Sequence, residues 1–258
     1  MKERKFLRAE ERLIVAADFK PGPKQGRAWV EKQVMDLANT LKGTGVYLKV
    51  NSALRTVGYD LIDYIHHYEL KVFADLKLYD IPETLAIDGI FLREFKPELL
   101  TVVCQVGMPS LQALKAELPD TEVLGVTILT SLKEGDLQSL GYPNQISLDV
   151  VVRALTASGM KAGIDGNICS GAEVELVRRV MVEQGKLNAT INTPAIRPAW
   201  SVVKNDDQNQ KRVMTPADAI RAGADRIVVG RPITQAEKPY DAVMRTIEEI
   251  ASAVGQGE

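Results

Sequence analysis

Val72-Phe73-Ala74-Asp75-Leu76-Lys77-Leu78-Tyr79-Asp80-Ile81-Pro82-Glu83-Thr84 begins as a buried strand, turns charged, and restarts as a helix. The short apolar run at its head has the length and composition of a strand inside a core. Side chains alternate along a strand, so Asp75 and Lys77 are expected to project to the same side. Asp80 lies just beyond, where Pro82 biases Ile81 toward an extended backbone and then suits a helix start. A strand ending in two carboxylates and an ammonium is either a solvated strand end or a working cluster. Asp-x-Lys-x-x-Asp alone arises by chance in about one chain in twenty of this size, so its surroundings must decide.

The same strand-then-helix order recurs along the chain. Strands are predicted at 13–17, 47–50, 72–75, 100–103, 123–127, 163–169, 190–192 and 226–229. Helical periodicity fills the gaps at 29–41, 59–68, 84–95, 148–158, 172–182, 216–222 and 240–254, with a weaker pattern at 110–116. Eight strands, each followed by a helix, within about 250 residues is the count of a (β/α)8 barrel. A doubly wound sheet is the other reading, but it usually carries a glycine-rich phosphate turn after its first strand. Here that strand runs into Ala17-Asp18 with no such turn behind it. The expectation is an α/β fold: a single-domain (β/α)8 TIM barrel over residues 1–258, with its active site at the C-terminal face of the strands. Two long connections, 130–146 and 193–215, follow the fifth and seventh strands and fall on that face as candidate lids or binding loops.

The chain has 258 residues, 45% of them apolar, and a net charge of −2 with lysines and arginines scattered rather than blocked. Nothing in that distribution points to nucleic acid or a membrane surface. The charged N-terminus lacks the apolar segment of a signal peptide, and no apolar run approaches the ~18 residues of a membrane span. Cys104 and Cys169 sit in apolar, strand-like runs and read as buried thiols rather than a disulfide. His66 and His67 lie in a polar helical stretch, and no Cys/His cluster has zinc-ligand spacing. A cytoplasmic protein is expected.

Charged and polar residues follow the predicted strands with some regularity. Asp18 follows the first, Lys49 lies in the second, and the third delivers Asp75 and Lys77. Thr130-Ser131 follow the fifth, Arg197 the seventh, and Gly230-Arg231 the eighth. Taken singly, Asp18 could cap a helix and Lys49 could snorkel to the surface. Together they would converge on one mouth of the barrel. Gly230 would let a phosphate approach backbone N–H groups, and Arg231 would supply a bidentate fork, in the loops where this fold usually binds phosphate.

With Asp-x-Lys-x-x-Asp-Ile-Pro, Asp18, Lys49 and Gly230-Arg231 in register, the chain resembles the orotidine 5′-monophosphate decarboxylase family over nearly its whole length. Further matching segments are Val126-Thr127-Ile128-Leu129-Thr130-Ser131, Gly163-Ile164-Asp165-Gly166, Thr193-Pro194-Ala195-Ile196-Arg197-Pro198 and Arg212-Val213-Met214-Thr215-Pro216. The resemblance implies that Lys77 protonates C6 of the pyrimidine while Asp75 lies against the departing carboxylate. Asp80, with Ile81 and Thr84, would enter the neighbouring site of a homodimer. Asp18 and Lys49 would contact the ribose hydroxyls and complete the charge array. Thr130 and Ser131 would meet the pyrimidine edge, and Gln210, Gly230 and Arg231 would hold the phosphate, with Arg197 in the same loop. A lysine flanked by carboxylates is a placed acid and a fixed positive charge for a carbanion forming at C6. No metal and no organic cofactor is implied.

Several positions depart from the family pattern. Ala195 replaces a usual glycine; if the backbone there has φ > 0, alanine costs on the order of 1 kcal/mol. Gln208 and Gln210 both qualify as the phosphate-binding glutamine; spacing to Thr215-Pro216 favours Gln210, which leaves Asn209 where aspartate is usual. Cys104-Gln105 replace a common His-Ala pair, and Asn51 replaces a glycine. Two rival readings share the scaffold. A magnesium-dependent sugar-phosphate decarboxylase or aldolase would place an acidic metal ligand where Lys49 stands. A silent nucleotide-phosphate binding protein would have lost Asp75 or Lys77, and both are present.

Overall fold

The computed structural model describes residues 7–201 and 214–255. Eight parallel strands close on one another in chain order. They are β1 (Leu13–Ala16), β2 (Tyr47–Val50), β3 (Lys71–Leu78), β4 (Leu99–Val103), β5 (Glu122–Val126), β6 (Gly166–Ile168), β7 (Thr190–Thr193) and β8 (Arg226–Val229). Parallel neighbours need a crossover, and helices supply it. These are α1 (Arg27–Thr40), α2 (Ser52–Val57), α3 (Asp60–His66), α4 (Pro82–Phe95), α5 (Met108–Glu117), α6 (Leu148–Ala162), α7 (Val174–Glu183), α8 (Pro216–Arg221), α9 (Arg231–Thr234) and α10 (Pro239–Val254).

All eight predicted strands are present, most within a residue of the expected bounds, and two boundaries move further. β3 runs past Asp75 to Leu78, and β6 begins only at Gly166. Gly163, expected in that strand, instead ends α6 with φ +90°, a conformation glycine adopts without a Cβ penalty. At the other end of α6 the Ser147 hydroxyl accepts from Val150 N–H, as an N-cap does. The long connection after β5 is not structureless: it holds two short 3-10 turns, Glu134–Asp136 and Gln138–Leu140. Among the described residues no helix is long and apolar enough to cross a membrane.

Every second strand residue points into the barrel. Ile14, Ala16, Tyr47, Phe73, Leu99, Leu124, Val126, Ile168 and Val228 fill that interior. The alternate residues meet the helices, whose apolar stripes complete a larger outer core. α10 shows the pattern, burying Ala242, Val243, Thr246, Ile250 and Ala253 at helical spacing. Burying each large aliphatic side chain of this kind contributes about 1.5–3 kcal/mol.

The N-terminal end of the barrel is closed by a polar plug. Arg226 grips Glu122 through two hydrogen bonds of 2.9 and 2.8 Å, donates to Asn192 Oδ1 at 3.2 Å, and lies 5.1 Å from the Tyr47 ring centre. Lys71 covers the same ring at 5.2 Å and pairs with Glu11 at 2.6 Å. Cys104 and Cys169 are buried and unpaired with each other, as expected, and burial pushes the Cys104 thiol up to about 12.

Candidate active site

Four charged side chains stand in line across the C-terminal mouth. Lys49 Nζ lies 2.8 Å from Asp18 Oδ2 and 3.2 Å from Asp75 Oδ2. Lys77 Nζ lies 2.6 Å from Asp75 Oδ1. The order Asp18, Lys49, Asp75, Lys77 therefore alternates in sign. Asp18 does not cap α1, whose N-cap is Gly26, and Lys49 does not snorkel: it is 8% exposed. Asp75 is 6% exposed, and stripping a buried ion pair of one member typically costs about 3–5 kcal/mol. Burial alone would raise the Asp75 carboxyl. The ammonium groups of Lys49 and Lys77, with hydrogen bonds from Lys77 and Thr101, hold it below the usual carboxylate range.

Asp75 and Lys77 do meet, but not through plain strand alternation. Lys77 has φ +48°, outside the extended region, and the β3–β4 register shifts between Ala74 and Leu78. A bulge re-aims a side chain in this way where a ladder is interrupted.

The array forms one wall of a cavity of about 620 Å³. Phe73, Val126, Ile168 and Val228 make its apolar floor, and Ile128, Leu129, Pro194 and Ile196 its sides. Thr130, Arg197, Gly230 and Arg231 complete the rim. A Cβ added to Gly230 would meet only Ala16 Cβ, at an ordinary 3.7 Å, so no protein atom demands glycine there. Such a bare backbone suits a ligand that comes close. Ala195 has φ +64°, so the strained alternative stated for that position is the one the backbone adopts.

Asp18, Lys49, Asp75, Lys77, Thr130, Arg197, Gly230 and Arg231 thus share one cavity. Asp80, Ile81, Thr84 and Ser131 do not line it. Asp80 is exposed and its carboxylate accepts from Ile81 N–H at 2.7 Å, Ile81 is 62% exposed, and Thr84 is half-buried on α4. Gln208 and Gln210 lie outside the described residues. The floor residues escaped the sequence reading although period two points to them: Phe73 precedes Asp75 by two, and Val228 precedes Gly230 by two. Thr101 also escaped it; an inward polar residue within Leu99–Val103 was the available sign.

Among the described residues no three His, Cys, Asp or Glu side chains gather as a metal site. The Lys49 ammonium itself fills the gap between the Asp18 and Asp75 carboxylates, where a cation shared by the two would have to stand.

A closed (β/α)8 barrel with fixed charges across its C-terminal mouth is an enzyme scaffold with its site in the usual place for this fold. The family model described as Orotidine 5′-phosphate decarboxylase / HUMPS family matches residues 11–246, and the chain belongs to that family. An orotidine 5′-phosphate decarboxylase of Syntrophotalea carbinolica is 34% identical over 98% of this chain and 100% of its own length. One from Geotalea uraniireducens is 41% identical over 72% of this chain and 76% of its own. The crystal structure of orotidine 5′-phosphate decarboxylase from Lactobacillus acidophilus superposes with a TM-score of 0.75 at 27% identity, covering 93% of this chain and 99% of that one. By this kinship the protein is a homologue of carboxy-lyases.

Proposed function

We propose that the protein decarboxylates orotidine 5′-monophosphate to uridine 5′-monophosphate, the closing step of de novo pyrimidine nucleotide synthesis, without metal or organic cofactor. The observation that carries this reading is the Asp18–Lys49–Asp75–Lys77 array sharing one cavity with Arg231. The phosphate sits at Gly230 and Arg231, with Arg197 on the same side. Asp18 and Lys49 take the ribose hydroxyls, and Thr130 and Ser131 take the pyrimidine edge. The C6–carboxylate bond breaks toward Asp75, its electron pair stays on C6, and carbon dioxide leaves. A proton from Lys77 Nζ then bonds to C6, and solvent reprotonates the amine. Lys77 meets the developing carbanion as a fixed positive charge, so its contribution grows toward the transition state.

The working unit is a homodimer of this barrel, in which Asp80, Ile81 and Thr84 complete the neighbouring site. The exposure of Asp80 beside the apolar Tyr79, Ile81, Ile87, Ile90 and Phe91 supports that arrangement. Its substrate is a small nucleotide, neither nucleic acid nor membrane, and its setting the cytoplasm, to which two buried free thiols are suited.

The test follows the pyrimidine absorbance of orotidine 5′-monophosphate after adding chelator-treated protein. Prompt conversion to uridine 5′-monophosphate is expected. Tight product binding without turnover would favour a silent binding protein, and turnover of a sugar phosphate only with Mg²⁺ would favour the metal-dependent relatives.

A further inference from the structure

The peptide unit joining Leu76 to Lys77 has left the sheet. β3 pairs with β4 at Phe73 and Ala74, loses register, and pairs again only at Leu78. Lys77 sits at φ +48°, a region that costs a non-glycine residue roughly 1–2 kcal/mol. A buried peptide that forgoes its ladder must find other partners for both of its polar ends. It finds them in side chains. The Leu76 carbonyl accepts from Arg55 Nη2 of α2, and Lys77 N–H donates to Thr101 Oγ1 of β4 at 2.9 Å. The same Thr101 hydroxyl donates to Asp75 Oδ1 at 2.9 Å, the oxygen that receives Lys77 Nζ.

We propose that Thr101 and Arg55 are positioning residues that clamp the two ends of this peptide, hold Lys77 in its left-handed conformation, and so set the Asp75–Lys77 contact. Thr101 is fully buried and does not line the cavity, so it acts through Asp75 and Lys77 and not on a ligand. Its hydroxyl has one proton to give and lone pairs to receive, and both capacities are used here. Valine has the same shape with neither capacity, and serine keeps both. Arg55, on α2, supplies a side-chain donor to the Leu76 carbonyl. The clamp explains why a strained residue persists without glycine: two hydrogen bonds compensate for the conformation.

The proposal rests on the decarboxylase reading for its kinetic arm and stands apart from it in its structural arm. Thr101→Val should lower kcat roughly thirtyfold, equivalent to about 2 kcal/mol, with KM within about twofold because the phosphate side is untouched. Thr101→Ser should recover most of that loss, and Arg55→Met should show a smaller loss of the same kind. The acidic limb of kcat/KM should move to higher pH in Thr101→Val, since Asp75 loses a donor to its ionised form. Asp75 faces Lys49 on β2, Lys77 on β3 and, through Lys49, Asp18 after β1; all three are unchanged in the variant. In a crystal structure of Thr101→Val the Lys77 φ should leave the left-handed region. Unchanged kcat overturns the clamp, as does equal damage from valine and serine. A variant structure that keeps φ near +48° and the 2.6 Å contact overturns it whatever the substrate is. An inactive wild type would instead overturn the functional reading, leaving that variant structure to decide the clamp.

Discussion

Lys77 Nζ lies 2.6 Å from Asp75 Oδ1, while Lys49 holds the other oxygen of the same carboxylate at 3.2 Å. One buried carboxylate thus serves two ammonium groups. Removing the Lys77 amine leaves Asp75 still paired through Lys49, so the barrel should fold. Lys77→Ala is expected to abolish turnover while uridine 5′-monophosphate binding stays measurable by titration calorimetry. Near-normal turnover would remove Lys77 from the proton-donor role.

Asp80 lies outside the cavity of its own chain, with an apolar stretch around it. If it completes a neighbouring site, Asp80→Ala and Lys77→Ala, each inactive alone, should recover activity when mixed. Random exchange gives half of the dimers one intact site each, so recovery should approach about a quarter of wild-type activity. Demonstrated subunit exchange without recovery would leave Asp80 with no part in a shared site.

Ala195 pays a local penalty that glycine would not. Its φ of +64° costs roughly 1–2 kcal/mol for a residue with a Cβ, against roughly 0.5–1 kcal/mol of extra chain entropy lost by glycine. Ala195→Gly should therefore stabilise the protein by about 0.5 kcal/mol, read as a small rise in the denaturant midpoint. A fall in the midpoint would show that neighbouring contacts outweigh the backbone.

Glu11 carries a pH dependence whose sign is fixed. Burial would raise its carboxyl, but the Lys71 ammonium 2.6 Å away, with hydrogen bonds from Lys71 and Arg8, brings it down to about 2. A carboxyl lowered in the folded state contributes stability above its unfolded value of about 4.5, and loses it as pH falls through about 2. Glu11→Gln should cost about 1 kcal/mol at pH 7, discounted for partial solvent screening. In urea unfolding, the gap between variant and wild type should narrow below about pH 4.5. A gap of constant size from pH 7 to pH 3 would contradict the pairing.

The barrel was legible because its strands are short apolar runs and its helices show clear 3.6-residue periodicity. Charged residues at strand ends were legible too: Asp18, Lys49, Asp75, Lys77 and Arg231 line one cavity. What stayed hidden depends on backbone conformation or brevity. No glycine marks the left-handed turn at Lys77, so alternation explained a contact that a bulge in fact makes. α2, at six residues, is too short for its periodicity to stand out from the helix that follows. Thr101 carries no charge, and its role appears only when β4 is laid against the bulge of β3.

The plug of Arg226, Glu122 and Tyr47 gives the barrel a stopper at one end. Among the described residues the cavity is then a cup whose rim carries Thr130, Arg197 and Arg231. On the proposed reading, anything formed at its floor leaves past the same arginine that anchors its precursor. A small uncharged product can slip out beside a nucleotide still held by its phosphate, whereas the nucleotide must first give up that anchor. On that reading egress is ordered by charge.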